Sequence, residues 1–200
     1  MPSLNNVAAD QALENAFREL RNVLKQPATL DPARSGSDPI FYFVYRPEQM
    51  LTVKRRLAGW MGALRNDGFE PVRISLADLV RELINASGRW DAWLALEPDA
   101  EPGDLNRAIN DVLTQNNALV NRVAERIALG GEKTLALLTE AELLHPYFRT
   151  RAIESALTGR VRHPTVIFYP GRRVGQYGLH FLGYYPEDGN YRSTLIGGLE

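Results

Sequence analysis

The residue types best suited to binding chemistry lie near the carboxyl terminus. Arg172 and Arg173 directly follow the turn Pro170-Gly171, and a second turn sequence runs from Asp188 to Arg192. Guanidinium groups bind phosphate and carboxylate in a bidentate manner, and arginine and tyrosine are enriched at hot spots of protein interfaces. These turns therefore predict an anion site or a protein-recognition surface. The competing interpretation is two solvated turns, because turns are polar by default.

Known catalytic motifs are missing from the chain. It contains no Gly-x-x-x-x-Gly-Lys-Ser/Thr phosphate loop and no Gly-x-Ser-x-Gly nucleophile motif, and none of its three histidines has the context of a catalytic base. Glu140 and Glu142 have the types of an acid/base pair. A place in the first turn of a helix, where the dipole favours negative charge, also explains them. We therefore predict no catalytic residue and no cofactor.

Composition narrows the classes of partner. The chain has 200 residues, 44% hydrophobic and 24% charged, with a formal net charge of -1, so no global field attracts it to nucleic acid or anionic membrane. The absence of cysteine excludes thiolate metal sites and cysteine catalysis, and three scattered histidines predict no metal site. No apolar run reaches the roughly 18 residues of a membrane span, and we expect a cytoplasmic protein.

The domain organisation predicted from the sequence has four parts. Residues 1–25 form an amphipathic helix, 26–39 a linker rich in proline, serine and glycine, 40–198 a single α/β domain, and 199–200 resemble the remnant of an expression tag. The helix either packs on the body of the protein or forms an arm that docks on another subunit.

The main domain alternates short apolar runs with amphipathic segments. The predicted strands are Ile40 to Tyr45, Phe69 to Ile74, Thr134 to Thr139 and Thr165 to Tyr169. With helices between them they predict a three-layer α/β fold, a mostly parallel sheet flanked by helices. A P-loop-like sheet that has lost its Walker motifs is one form of this fold. The segment from Gln176 to Tyr185 alternates and predicts an antiparallel carboxyl-terminal edge.

Helix boundaries follow from capping signals. Ser75 and Thr139 each stand at a capping-box spacing before an amphipathic segment, and Asp104 is predicted to cap one long helix that ends at Gly130. Trp90 and Trp93 lie in an acidic stretch, where they are most simply core or docking anchors of a short helix.

Ligands of an open α/β sheet bind outside the carboxyl ends of its strands. Arg46 follows the first predicted strand there, and the Arg172-Arg173 pair follows the fourth. A nucleic-acid-binding role would add the cationic run Lys54, Arg55 and Arg56. The predicted partner-binding or anion-binding residues are Arg46, Tyr169, Gly171, Arg172, Arg173, Asn190, Tyr191 and Arg192.

Three segments resemble a known family. They are IFYFVYRPEQMLTVKRRL, TLALLTEAELLHPYFRTRAIESAL and PTVIFYPGRRVGQYGLHFLGYYPEDGNYRSTLIGG, and they are similar to the BrxB family of bacterial BREX phage-defence systems. The resemblance runs from about Ile40 to Gly198. It implies a small component of a system that also contains a PglZ-like protein, a DNA methyltransferase and a large ATPase, and it implies no established enzymatic activity.

The resemblance also implies where the chain would act. It points to Tyr169 to Arg173 and Gly183 to Arg192 as the functional surface, and to the PglZ-like and other BREX proteins as partners. Together with the missing catalytic motifs, it leads to the prediction of a non-catalytic adaptor. The alternatives that stay open are a nucleic-acid-binding module and a binder or enzyme of a phosphorylated ligand.

Overall fold

The alternating apolar and amphipathic segments form strands and helices in the predicted order. The computed structural model describes residues 4–30, 38–96, 98, 101–175, 178–189 and 191–198. Its helices are α1 (Leu4–Leu24), α2 (Pro27–Leu30), α3 (Met50–Asn66), α4 (Leu76–Ala86), α5 (Trp90–Leu96), α6 (Pro102–Thr114), α7 (Ala118–Ala128) and α8 (Thr150–Leu157). Its strands are β1 (Ile40–Tyr45), β2 (Glu70–Ser75), β3 (Thr134–Thr139), β4 (Thr165–Val174), β5 (Gly178–Phe181) and β6 (Thr194–Gly197).

The sheet has the order β2-β3-β4-β1-β6, and all pairs along this path are parallel. β5 pairs antiparallel with the last four residues of β4. Every residue of β1 and β3 is buried, because helices cover both faces of a parallel sheet. The predicted mostly parallel sheet with an antiparallel carboxyl-terminal part is confirmed.

Two separate hydrophobic clusters lie on the two faces of the sheet, so the predicted three-layer arrangement is confirmed. One cluster joins the sheet to α4, α6, α7 and α8, and its helical members include Leu113 and Ile153. The other joins the sheet to α1 and α3, with Trp60 and Leu64 at its centre.

Helix α1 packs on the body of the protein. Its side chains at the predicted spacing, Leu13, Phe17, Leu20 and Leu24, are buried, and the Phe17 ring stacks on that of Trp60 with centroids 4.6 Å apart. The predicted linker contains α2. Its residues 31–37, like residues 199–200, lie outside the described part of the chain.

Two helix predictions are wrong. The expected long helix from Asp104 starts earlier and is two helices, because Asn116 (φ 53°) and Asn117 (φ 56°) adopt the left-handed conformation between α6 and α7. Asparagine tolerates this conformation better than most residues. Thr139 caps no helix: Glu140 follows at φ 64°, then a 3-10 turn covers Ala141–Leu144. The cap at Ser75 is confirmed, since its Oγ accepts from Asp78 N at 3.0 Å.

Candidate functional site

The carboxyl ends of the parallel strands form the edge of the sheet where a ligand or partner site is expected. β1 and β4 run in register to Tyr45 and Pro170, which lie opposite each other. Arg46 therefore leaves the sheet beside Gly171. The Arg46 side chain is exposed, and its backbone N–H donates to Gln49 Oε1 at 3.2 Å, which closes a turn that holds the arginine outside the sheet.

Beyond this edge, β4 and β5 extend as a two-stranded hairpin. Arg172 lies opposite His180 and Arg173 opposite Leu179. The hairpin is tied to β6: Arg173 N donates to the Gly198 carbonyl at 3.2 Å, and its guanidinium donates to the Leu195 carbonyl at 3.3 Å. The two arginines are thus half-buried on a strand and not in a free turn.

Gly171 is required by packing within this hairpin. A Cβ at this position would lie 2.5 Å from the carbonyl oxygen of His180 and 2.7 Å from the Tyr169 ring. Both distances are far below van der Waals contact. The absent side chain thus lets the strand pass over Tyr169, and no anion is needed to explain the glycine.

A cluster of tyrosines lies beneath the hairpin. The Tyr42 ring makes edge contacts with Tyr169 and Tyr191, with centroids 5.6 and 5.0 Å away, and all three side chains are buried. Burial raises the pKa of Tyr191 to about 12 and also raises the pKa of Tyr169, so both hydroxyls stay neutral. Buried aromatic groups of this kind position the loops above them.

Glu154 connects this cluster to the segment before β6. Glu154 is 5% exposed. Its carboxylate accepts hydrogen bonds from the backbone N–H of Arg192 at 3.2 Å and of Ser193 at 2.9 Å, and from the Ser193 hydroxyl. Tyr42 Oη lies 3.5 Å from the same carboxyl group. Carboxylate acceptors make strong hydrogen bonds to backbone donors. Glu154 therefore fixes the path of the chain into β6.

The turn after β5 is held by ring stacking. The imidazole of His145 stacks on both Phe181 and Tyr185, with ring centroids 4.4 and 4.0 Å away. Burial, together with the positive charge of Arg149, lowers the pKa of His145. Tyr184, between the two anchored rings, is 82% exposed. The structure thus presents one large aromatic side chain to solvent from a well-held turn.

An open groove separates this turn from α8. It has a volume of about 450 Å³, with Arg149, Arg151 and Ser155 on the helix side and Glu187 and Asp188 on the turn side. Arg151 Nη1 donates to Asp188 Oδ1 at 2.8 Å across it. The mixture of both charges suits a polar protein contact better than a phosphate group.

A second cleft, of about 340 Å³, lies between α3 and the ends of β1 and β3. The Glu140 carboxylate accepts from Ser75 Oγ and from Arg73 Nη2, the latter at 2.9 Å, and Lys54 Nζ lies 2.9 Å from Glu142 Oε1. These ion pairs link α3, β2 and β3. The charges balance one another, so the cleft carries no net charge for an anionic ligand.

Sequence reasoning missed Arg73 and the role of Lys54 in this cleft. Arg73 precedes Ile74, which is buried in the cluster on the α4 side, so strand alternation places Arg73 on the opposite face, toward α3. Lys54 belongs to the cationic run on α3 that a nucleic-acid-binding role would use. Its partners come from a different strand end, and helix periodicity does not reveal them.

The structure separates the predicted binding residues into groups. Tyr169, Gly171 and Tyr191 are buried and position the surface rather than form it. Arg192 is exposed but precedes β6, whose first residue Thr194 lies opposite Phe41, so Arg192 is remote from the strand ends. Asn190 lies outside the described residues. Of the predicted residues, Arg46, Arg172 and Arg173 lie at the strand ends with side chains that are exposed or half-buried; with Tyr184 they are hereafter called the carboxyl-edge surface.

These features define the class: a three-layer α/β protein with a surface of arginine and tyrosine at the carboxyl ends of its strands. A profile of the BrxB family, described as BREX protein BrxB, matches residues 72–196. The chain therefore belongs to the BrxB family, and the predicted resemblance is confirmed. Membership indicates a component of a BREX phage-defence system, with other BREX proteins as partners. No curated protein and no solved structure matches the chain.

None of the helices among the described residues combines the length and the apolar character needed to cross a membrane. Over the same residues, no three histidine, aspartate or glutamate side chains are grouped as metal ligands would be.

Proposed function

We propose that this BrxB protein is a non-catalytic adaptor that binds a PglZ-like BREX protein through its carboxyl-edge surface. The observation that carries the proposal is the exposed ring of Tyr184, which lies on a turn whose Phe181 and Tyr185 both stack on His145, together with the exposed or half-exposed arginines nearby. Tyrosine and arginine are the residue types that most often dominate binding energy at protein interfaces. A surface that is already ordered loses little entropy when it binds.

The nucleic-acid alternative has less support. In the cationic run on α3, Lys54 pairs with Glu142 at 2.9 Å and Arg56 pairs with Asp10 and Glu14. Phosphate contacts need cations whose charge is available to the backbone of the nucleic acid. The paired side chains of this run provide little of that charge.

The test is a binding measurement with the purified PglZ-like protein of the same defence system. Tyr184→Ala combined with Arg46→Glu should weaken the complex by about thirtyfold or more, the effect of losing a hot-spot residue. Both side chains are exposed, so the variant should retain the wild-type thermal midpoint. Arg172 and Arg173 are less suitable, because reversing their charge would also disturb the hairpin.

The matched control is Arg107→Glu with Leu129→Ala. It makes the same charge change and removes an apolar side chain of comparable exposure, since Arg107 is 75% and Leu129 81% exposed. This variant should bind like the wild type. A folded Tyr184/Arg46 variant that binds with undiminished affinity would exclude the carboxyl-edge surface as the adaptor site.

A further inference from the structure

Helix α5 carries more apolar surface than the protein covers. Trp93 is the residue of α5 that packs against the core, and none of the seven residues of this helix is buried. Trp90, Leu94 and Leu96 are 48%, 49% and 64% exposed. Most surface helices bury their apolar stripe against the body of the protein, so α5 is an exception.

The exposed side chains adjoin the one that is packed. Residues advance by about 100° around a helix, so the four apolar side chains Trp90, Trp93, Leu94 and Leu96 span an arc of roughly 160°. Trp93 lies within this arc and faces the core, with Trp90 and Leu94 on one side of it and Leu96 on the other. The helix is therefore amphipathic, and a partner could cover both flanks of the Trp93 contact.

The position of α5 is far from the carboxyl-edge surface. Helix α4 begins beside Ser75 at the carboxyl end of β2, and its eleven residues carry the chain about 16 Å back toward the opposite edge. Helix α6 runs back toward the carboxyl ends of the strands: its Asn110 Nδ2 donates to the carbonyl of Tyr147, in the segment that follows β3. Helix α5, which connects α4 to α6, therefore lies near the amino ends of the parallel strands.

The composition of the chain at and after α5 indicates the kind of partner. In sequence, residues 89–101 contain one arginine, Arg89, against the four acidic residues Asp91, Glu97, Asp99 and Glu101. A net negative charge in this stretch of chain attracts a partner that combines apolar and cationic groups, and it repels nucleic acid and anionic lipid. We infer that α5 is a docking surface for a partner-protein segment that combines apolar side chains with lysine or arginine.

This inference goes beyond the proposed function, since it gives the adaptor a second contact at the opposite edge of the sheet. A single chain with contacts at both edges can hold two other proteins at once. The two contacts are independent, because no residue of α5 belongs to the carboxyl-edge surface.

The experiment measures binding of a labelled amphipathic peptide of leucine and lysine, about 14 residues long so that it can form a helix, to the full chain by fluorescence anisotropy. The wild-type protein should bind this lysine peptide at least about tenfold more tightly than it binds the same peptide with glutamate in place of lysine. Trp90→Ser with Leu94→Ser should weaken the lysine peptide by about thirtyfold. Leu129→Ser, at another exposed apolar position, should leave its affinity unchanged.

The inference is overturned if the wild type does not bind the lysine peptide, or if it binds the lysine and glutamate peptides with equal affinity. It is also overturned if the Trp90/Leu94 variant binds the lysine peptide as tightly as the wild type does. Sedimentation that shows a wild-type dimer dissociated by the same variant would make a second copy the occupant and would also overturn it. Tyr184→Ala should not change peptide binding, so failure of the adaptor proposal and failure of this one give different results.

Discussion

Glu154 shows most clearly what a single residue does for the candidate site. It is a buried carboxylate, and it receives two backbone N–H groups and a hydroxyl from the segment that enters β6. Local sequence marks it only as a polar residue of an amphipathic helix. Its partners lie almost forty residues further along the chain, at Arg192 and Ser193. The role of Glu154 therefore depends on how α8 meets the last strand.

The residue-scale prediction follows from those donors. Glu154→Ala removes the acceptor of two part-buried N–H groups and of the Ser193 hydroxyl and should lower the free energy of unfolding by about 1–3 kcal/mol, measured by urea denaturation. Glu154→Gln keeps a carbonyl acceptor and should lose less. Glu125→Ala, at a carboxylate whose side chain is 67% exposed, is the control and should change stability little. If the alanine variants at 154 and 125 were equally stable, Glu154 would not have this role.

Helix α1 shows how one element is attached to the others. Phe17 stacks on Trp60, and the Arg21 guanidinium binds both oxygens of Asp67 at 2.6 and 2.9 Å, just after the end of α3. The hydrogen bond from Arg21 lowers the pKa of Asp67 below its ordinary value of 3.8. The amphipathic pattern of α1 predicts a buried face, but it does not identify the helix that provides the partner surface.

The element-scale prediction concerns pH. A carboxyl with a lowered folded-state pKa stabilises the fold above its ordinary value of 3.8, and this contribution is lost as the pH falls through the lower folded-state value. Asp67→Asn should therefore destabilise the protein at neutral pH and little at pH values below the folded pKa. Thermal midpoints of the wild type and of Asp67→Asn, measured across this pH range, test the prediction. A difference in midpoint between the two proteins that stays the same in acid would contradict the role of the ion pair.

Helix α1 and strand β6, which are distant in sequence, contact each other in the fold. β6 adds to β1 at the edge of the sheet, with Leu195 on one core cluster and Ile196 on the other. Helix α1 lies against this strand: a Cβ at Gly197 would be 3.0 Å from the Cβ of Ala16 and 2.6 Å from the Val44 carbonyl oxygen. The first helix and the last strand therefore support each other.

The whole-molecule prediction tests this contact. Ile196→Ala removes a fully buried side chain and should cost about 2–5 kcal/mol. Because β6 contacts both β1 and α1, the loss should appear in one cooperative transition seen equally by far-UV circular dichroism and by tryptophan fluorescence, to which buried Trp60 contributes. Leu129→Ala, at an exposed position, should stay within about 0.5 kcal/mol of the wild type. Separate transitions for the two probes would show that α1 and β6 are not coupled.

The sequence by itself determined the strands and helices whose pattern is local, and with them the mostly parallel three-layer fold. It also determined the family, through the long motif near the carboxyl terminus. A short continuous apolar run is a signal carried by neighbours in the chain, so the strands Ile40–Tyr45 and Thr134–Thr139 are predictable from the sequence. The break between α6 and α7 at Asn116 is not predicted from the sequence, because apolar residues at helical spacing occur on both sides of it.

Only the tertiary structure decided which candidate residues reach solvent. Tyr169 at the end of a predicted strand and Tyr191 in a polar turn are both predicted binding residues, yet both are buried against Tyr42. Arg192 follows the same motif but lies away from Arg46 and the hairpin arginines. These outcomes depend on pairing β6 with β1 and on stacking α8 beneath the hairpin. Such contacts join residues distant in sequence, and no local pattern records them.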